Sequence, residues 1–199
     1  MKENTNIEQE KMDLYDDSEV ALRTLSVLVE NRPSVLSQVA RLFTRNGYNI
    51  ESFAADTVLD PGVTRITIEV IANDNHTNRM IAQLNKMVPV HSVKLLTKDH
   101  TIRRQLALFK LNAATSEERN EIIQIANIFR GSVIDVSHET LTVSVIGDEK
   151  KIDAVRDMLE PFGIIEMART GMIAMERGKY TIDEQTKERD EFNYGKNTQ

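Results

Sequence analysis

Cysteine and tryptophan are both absent from the 199 residues, and aromatic side chains make up only 5%. Without cysteine there are no disulfides and no thiolate metal ligands, which fits a reducing compartment. With so few aromatics, packing falls to aliphatic side chains, and a 40% hydrophobic content supplies enough of them. No run reaches membrane-spanning length, and Met1–Glu10 lacks the apolar stretch of a secretory leader, so a cytoplasmic protein is the expectation.

A catalytic constellation is missing as well. The four histidines, His76, His91, His100 and His138, are scattered, with no pair at i, i+4, so no metal site is expected. No serine sits on a strained elbow beside a base. Glu51, Asp56 and Asp135 fall on predicted strands and hairpins, where solvated faces account for them. A basic excess is also lacking. Residues 1–20 carry seven acidic and two basic side chains, residues 179–199 five and four, and residues 21–178 exactly balance at 19 of each sign. A neutral middle between polar ends excludes a general nucleic-acid binder. The ends read as solvated, disordered segments.

What is present is a pattern stated twice. The first strand, Leu22–Glu30, runs into a helix over Pro33–Asn46, with Val35/Leu36, Val39 and Leu42/Phe43 on one face and Gly47 as its stop. A hairpin follows, Tyr48–Val58 and Val63–Ile71, turned by Asp60-Pro61-Gly62. A second helix, Asn75–Val88, presents Thr77, Met80/Ile81, Leu84 and Met87/Val88, and a fourth strand takes His91–Leu96. After the polar stretch Thr97–Thr101 the cycle restarts. Leu106–Leu111 is a strand, and Thr115 with Glu118 offers a capping box for a helix that ends at Gly131. Strands Val133–Val136 and Thr140–Ile146 precede a helix from Asp148 bearing Ile152, Val155, Met158/Leu159 and Phe162. The last strand covers Ile164–Glu176, broken near Gly171.

The reading is therefore α+β, with two ferredoxin-like βαββαβ domains in tandem. Its boundaries are an acidic extension over 1–20, a first domain over 21–97, a linker over 98–103, a second domain over 104–178 and a tail over 179–199. Helices on one face of each sheet leave the other face to be covered, so dimerisation is expected. The strand-to-helix junction at Asn31–Leu36 is the most informative feature. Amide groups of Ser34, Val35 and Leu36 fall in the first helical turn, where helical partners are lacking, and Pro33 suits a helix start. A small carboxylate can dock on such groups, each charge-assisted bond contributing about 1.5–3 kcal/mol. Taken alone, Asn31 and Asn49 read as ordinary turn or cap residues.

Several segments resemble a known family. They are Leu25-Ser-Val-Leu-Val-Glu-Asn-Arg-Pro33, Leu42-Phe-Thr-Arg-Asn-Gly-Tyr-Asn-Ile-Glu-Ser52, Asp60-Pro-Gly-Val-Thr-Arg-Ile-Thr-Ile68, Gln83-Leu-Asn-Lys86, Ile128-Phe-Arg-Gly-Ser-Val-Ile-Asp-Val136 and Pro161-Phe-Gly-Ile-Ile-Glu-Met-Ala-Arg-Thr-Gly171. The first half resembles an ACT domain, and Thr24–Gly178 as a whole resembles the regulatory (small) subunits of acetolactate synthase. The resemblance implies a chain without catalysis of its own. Its partner is a large catalytic subunit that holds thiamine diphosphate, Mg²⁺ and FAD and condenses pyruvate in branched-chain amino-acid synthesis. The small subunit raises that activity and transmits feedback inhibition, usually by valine.

The resemblance also implies an effector site between two N-terminal domains of a homodimer. One chain supplies Asn31, Ser34, Val35 and Leu36, and the other supplies Asn49 and Ile50. Asparagine oxygens then face an α-ammonium group, while Leu36 and Ile50 pack an aliphatic side chain. The family typically carries glycine where Ser34 stands, so weakened or altered valine sensitivity with retained activation is the expectation. The alternative is a free-standing ACT-domain sensor acting on another enzyme or on transcription. An RNA-binding module of the same layout would need a basic, aromatic-interleaved strand motif, which Tyr48, Phe53 and Phe109 do not make.

Overall fold

The computed structural model describes residues 20–182. The expected extension over 1–20, apart from Val20, and the tail beyond Ile182 lie outside the described residues. The described residues divide into two compact units, 20–101 with 175–182, and 102–174.

In the first unit the order is β1 (Ala21–Glu30), α1 (Val35–Arg45), β2 (Ile50–Thr57), β3 (Val63–Ala72), α2 (Asp74–Asn85) and β4 (Val90–Leu96). The strands lie in the order β2-β3-β1-β4, every neighbouring pair antiparallel. Alternation along β1 and β3 sends Leu25, Val27, Val29, Ile66, Ile68 and Val70 to one face. There they meet Val35, Val39 and Phe43 of α1 and Met80 and Leu84 of α2 in a single buried cluster. Both helices therefore lie on that face.

The second unit repeats the plan with β5 (Thr101–Asn112), α3 (Ser116–Ile128), β6 (Ser132–Val136), β7 (Thr140–Gly147), α4 (Glu149–Leu159) and β8 (Ile164–Arg169). Its order is β6-β7-β5-β8, and an added strand, β9 (Ile173–Glu176), pairs with β5. Phe109, Leu111, Ile122, Val143, Ile152, Val155 and Leu159 form its core. Two ferredoxin-like βαββαβ sheets in tandem are thus present, and the expected fold class holds.

Several local expectations change. Helix α1 opens at Val35 rather than Pro33, because Ser34 adopts a left-handed backbone, φ 71° and ψ −11°. Helix α2 stops at Asn85, and Val88, expected on its inner face, is 89% exposed in the turn before β4. Met158, expected beside Leu159, points outward while Leu159 is fully buried. The final strand, by contrast, is broken near Gly171 as expected, into β8 and β9 separated by Thr170–Met172. Of the stretch read as a linker, Lys98–His100 form one 3-10 turn and Thr101 already begins β5. Its polar residues Thr101 and Gln105 are buried, which hides the strand from a hydrophobicity pattern. Residues 179–182, read as the start of a loose tail, are described, and Ile182 is only 6% exposed.

Candidate functional site

At the end of β1 the chain is tied down by its backbone. The Glu30 amide donates to the Pro89 carbonyl (2.9 Å) and the Asn31 amide to the Gly62 carbonyl (2.7 Å). The Asn31 side-chain nitrogen donates to the Pro61 carbonyl at 2.9 Å. Asn31 therefore braces the loop against the β2–β3 turn, and its Oδ1 remains uncommitted among the described residues. Asn31 is thus a turn-stabilising asparagine with an acceptor to spare.

The start of α1 differs from the other three α-helix starts among the described residues. Asn73, Thr115 and Asp148 each cap their helix by accepting a backbone N–H with a side-chain oxygen, and each of those helices has an acidic residue in its first turn. Ser34 makes no such bond, and the first turn of α1 holds no acid. Its hydroxyl instead accepts from Gln38 Nε2 at 3.2 Å, and its carbonyl takes the Gln38 amide at 2.9 Å. The Val35 amide reaches the Arg32 carbonyl at 3.4 Å, so it is partly engaged rather than free. The Ser34 and Leu36 amides bond to nothing among the described residues. An uncapped, acid-free helix start is an electropositive corner with donors to spare. Arg32, itself ion-paired with Glu30, stands beside it. Val35 is buried in the core, whereas Leu36 is 43% exposed and available to an apolar group.

Asn49 and Ile50 are elsewhere. Asn49 is exposed, its amide nitrogen donating to Glu51 Oε1 at 2.7 Å, while Ile50 is half-buried against the core. Strand register fixes the separation. Glu30 stands opposite Val63, but Ile50 stands opposite Val70, seven residues further along β3. At about 3.4 Å per residue that is roughly 24 Å along the strand. One chain therefore does not bring the six residues together: Asn31, Ser34, Val35 and Leu36 share one end of the sheet, and Asn49 and Ile50 occupy the other.

Among the described residues, no three His, Cys, Asp or Glu side chains gather as a metal ion would require, and no helix is long and apolar enough to cross a membrane. Two features escaped the sequence reading. One is the left-handed backbone of Ser34, whose only signal is glycine at that place in the family it resembles. The other is the set of polar side chains buried on the helix-free face of the first sheet, Thr24, Ser26, Thr67, Glu69 and Ser92. Their alternation with aliphatic residues along β1 and β3 signals that face, but nothing in it says what covers them.

Comparison with known proteins gives a consistent result. Residues 25–92 match the family described as the AHAS small subunit-like ACT domain, and residues 104–178 match the small subunit of acetolactate synthase. The probable acetolactate synthase small subunit of Methanothermobacter thermautotrophicus is 46% identical over 79% of this chain and 94% of its own length. That of Aquifex aeolicus is 42% identical over 80% of this chain and 83% of its own. The crystal structure of the acetolactate synthase small subunit from Thermotoga maritima superposes with a TM-score of 0.75 at 34% identity, covering 81% of this chain and all of the other.

Proposed function

The chain belongs to the acetolactate synthase small-subunit family, and from that membership we propose that it binds the catalytic large subunit, raises its activity and carries feedback inhibition by a branched-chain amino acid. Catalysis, with thiamine diphosphate, Mg²⁺ and FAD, belongs to the large subunit. The effector is valine or a close relative, held with its carboxylate on the Ser34 and Leu36 amides and its ammonium group between the Asn31 and Asn49 oxygens. Leu36 and Ile50 contact its side chain, and Val35 holds the helix start to the core from beneath.

One observation carries this reading: the two halves of the site lie at opposite ends of one sheet. A homodimer resolves that separation. Strand β2 is an edge strand whose outer side has no partner among the described residues. If a second copy pairs its β2 antiparallel to this one, its Asn49 and Ile50 come level with Thr57. Thr57 stands opposite Thr64, next to the Val63 that faces Glu30, so the partner's residues arrive at the end of the sheet where Asn31 and Ser34 lie. Ligand binding across such a joint favours one arrangement of the pair, with a coupling of about 1–3 kcal/mol to the large subunit's activity.

Mixed dimers test the shared site. Asn31→Ala and Asn49→Ala homodimers each lack a complete site and should bind valine poorly. A mixture of the two rebuilds one intact site in every heterodimer, so binding measured by calorimetry should return on mixing. No recovery on mixing, or a concentration-independent monomer in sedimentation, would contradict the arrangement. Pyruvate condensation by the large subunit, assayed with and without this chain, separates a subunit from a free-standing sensor, which would bind an amino acid and leave that enzyme unchanged.

A further inference from the structure

The helix-free face of the first sheet is partly roofed by the chain's own 175–182 segment, and a cavity of about 60 Å³ lies beneath it. That volume holds roughly four waters, or a molecule of about four to six non-hydrogen atoms. Its floor is the sheet. Ser26 stands between Thr67 on β3 and Lys94 on β4, and Arg65 stands across from Leu28, one diagonal step away. Its roof includes Met175, Glu176 and Ile182.

Two polar groups in this cavity have no partner. Ser26 is 1% exposed, and its hydroxyl makes no hydrogen bond. Arg65 Nε is buried and equally unpaired. Burial holds the Arg65 guanidinium below its usual range, and no carboxylate among the described residues offsets that. Asp56, directly across the ladder from Arg65, uses Oδ1 for the Thr57 amide. Glu176 also lines the cavity, but its charge is answered by Lys94 Nζ at 2.6 Å. A half-buried guanidinium and a buried hydroxyl left unanswered are costly unless something fills the space between them.

We propose that this cavity is a second ligand site, separate from the effector corner, which takes a short-chain carboxylate with its oxygens on Arg65 and Ser26. Apolar Leu96, Met175 and Ile182 in the wall favour a ligand with an aliphatic end over a bare inorganic anion. The site lies on the face of the sheet opposite the helices, so it does not depend on the shared effector pocket.

Titration of the full chain with acetate, propionate and butyrate, followed by amide NMR shifts of β1 and β3, tests this. Saturable shifts are expected, with affinity rising along the series. Arg65→Gln should weaken binding by about tenfold or more, and Ser26→Ala by a few-fold. Asn31→Ala should leave it unchanged, which distinguishes this site from the effector corner. Should Arg65→Gln fail to fold, Ser26→Ala alone decides. Four outcomes overturn the proposal: no saturable shifts, meaning water fills the cavity; inorganic phosphate binding as well as butyrate; equal binding by wild type and the cavity variants; or much tighter binding when the chain ends at Ile182, meaning a carboxylate from residues 183–199 is the natural occupant.

Discussion

Ser34 holds a backbone conformation that suits glycine. A side chain at φ 71° brings its Cβ close to the following carbonyl, at a cost of about 1–2 kcal/mol, part of which glycine would surrender by its greater freedom when unfolded. Ser34→Gly should therefore stabilise the first unit by about 0.5–1 kcal/mol, read as a higher urea midpoint. The glycine that the resemblance implies at this place thus has a reason apart from close approach of an effector. The same variant should bind valine more tightly once the Cβ is gone, and equal affinity in both proteins would separate the conformational reason from the contact. Gly131 presents the reverse case. The left-handed residue ending α3 is Arg130, at φ 52°, and not the glycine expected to stop the helix. Gly131 is needed for space, since an added Cβ would lie 2.9 Å from both the Ser144 carbonyl oxygen and Val145 Cγ2. Gly131→Ala should destabilise the second unit by about 1–3 kcal/mol, seen as a lowered thermal midpoint.

At the scale of elements, the helices separate cap from site. In α3 the Thr115 hydroxyl accepts the Glu118 amide at 3.2 Å while Glu118 Oε2 accepts the Thr115 amide at 3.0 Å. These bonds, the Thr115 amide first, lower the Glu118 pKa from its ordinary value. A carboxylate with a lowered folded pKa adds stability above its unfolded pKa, and that stability is lost as pH falls through the folded value. Glu118→Gln should therefore flatten the acid side of the second unit's stability profile, leaving the variant less stable than the wild type at neutral pH and matching it once Glu118 is protonated. Thermal melts of both proteins from neutral pH down through that acid range would check it.

This is also the scale at which the sequence was most readable. The alternation of Leu25, Val27 and Val29, the Thr115/Glu118 box and the Asp60-Pro61-Gly62 turn are local signals, and each produced its element. Thr101–Gln105 gave no such signal, because a strand buried with threonine and glutamine in its pattern does not look apolar. Of the six proposed effector residues, the Ser34, Val35 and Leu36 amides were legible in the helix start, while Asn31, Asn49 and Ile50 came from resemblance. Their separation along β3 depends on strand register, which no single segment encodes, and the Arg65–Ser26 pairing likewise arises only when β1 and β3 lie side by side.

For the whole molecule, the closing segment matters as much as the sheets. Ile182 and the Lys94–Glu176 pair belong to the first unit although they follow the second in the chain. Ile182→Ala should lower the stability of the first unit by about 1.5–3 kcal/mol and leave the second unchanged. Hydrogen exchange of β1 and β3 amides, compared with that of β5 and β7, would distinguish the two. A similar loss in both units would mean that they unfold together.

This return of the chain fixes the sequence of events at synthesis. By the time Leu96 leaves the ribosome β1–β4 and both α-helices of the first unit have been made, yet Lys94 still lacks its counter-charge and Ser26 lies open to water. Those gaps close only after about eighty more residues have been translated and the following unit has taken shape. The half of the protein that starts to fold first is thus the half that finishes last, and a fragment cut after Thr101 would stay at that unfinished stage.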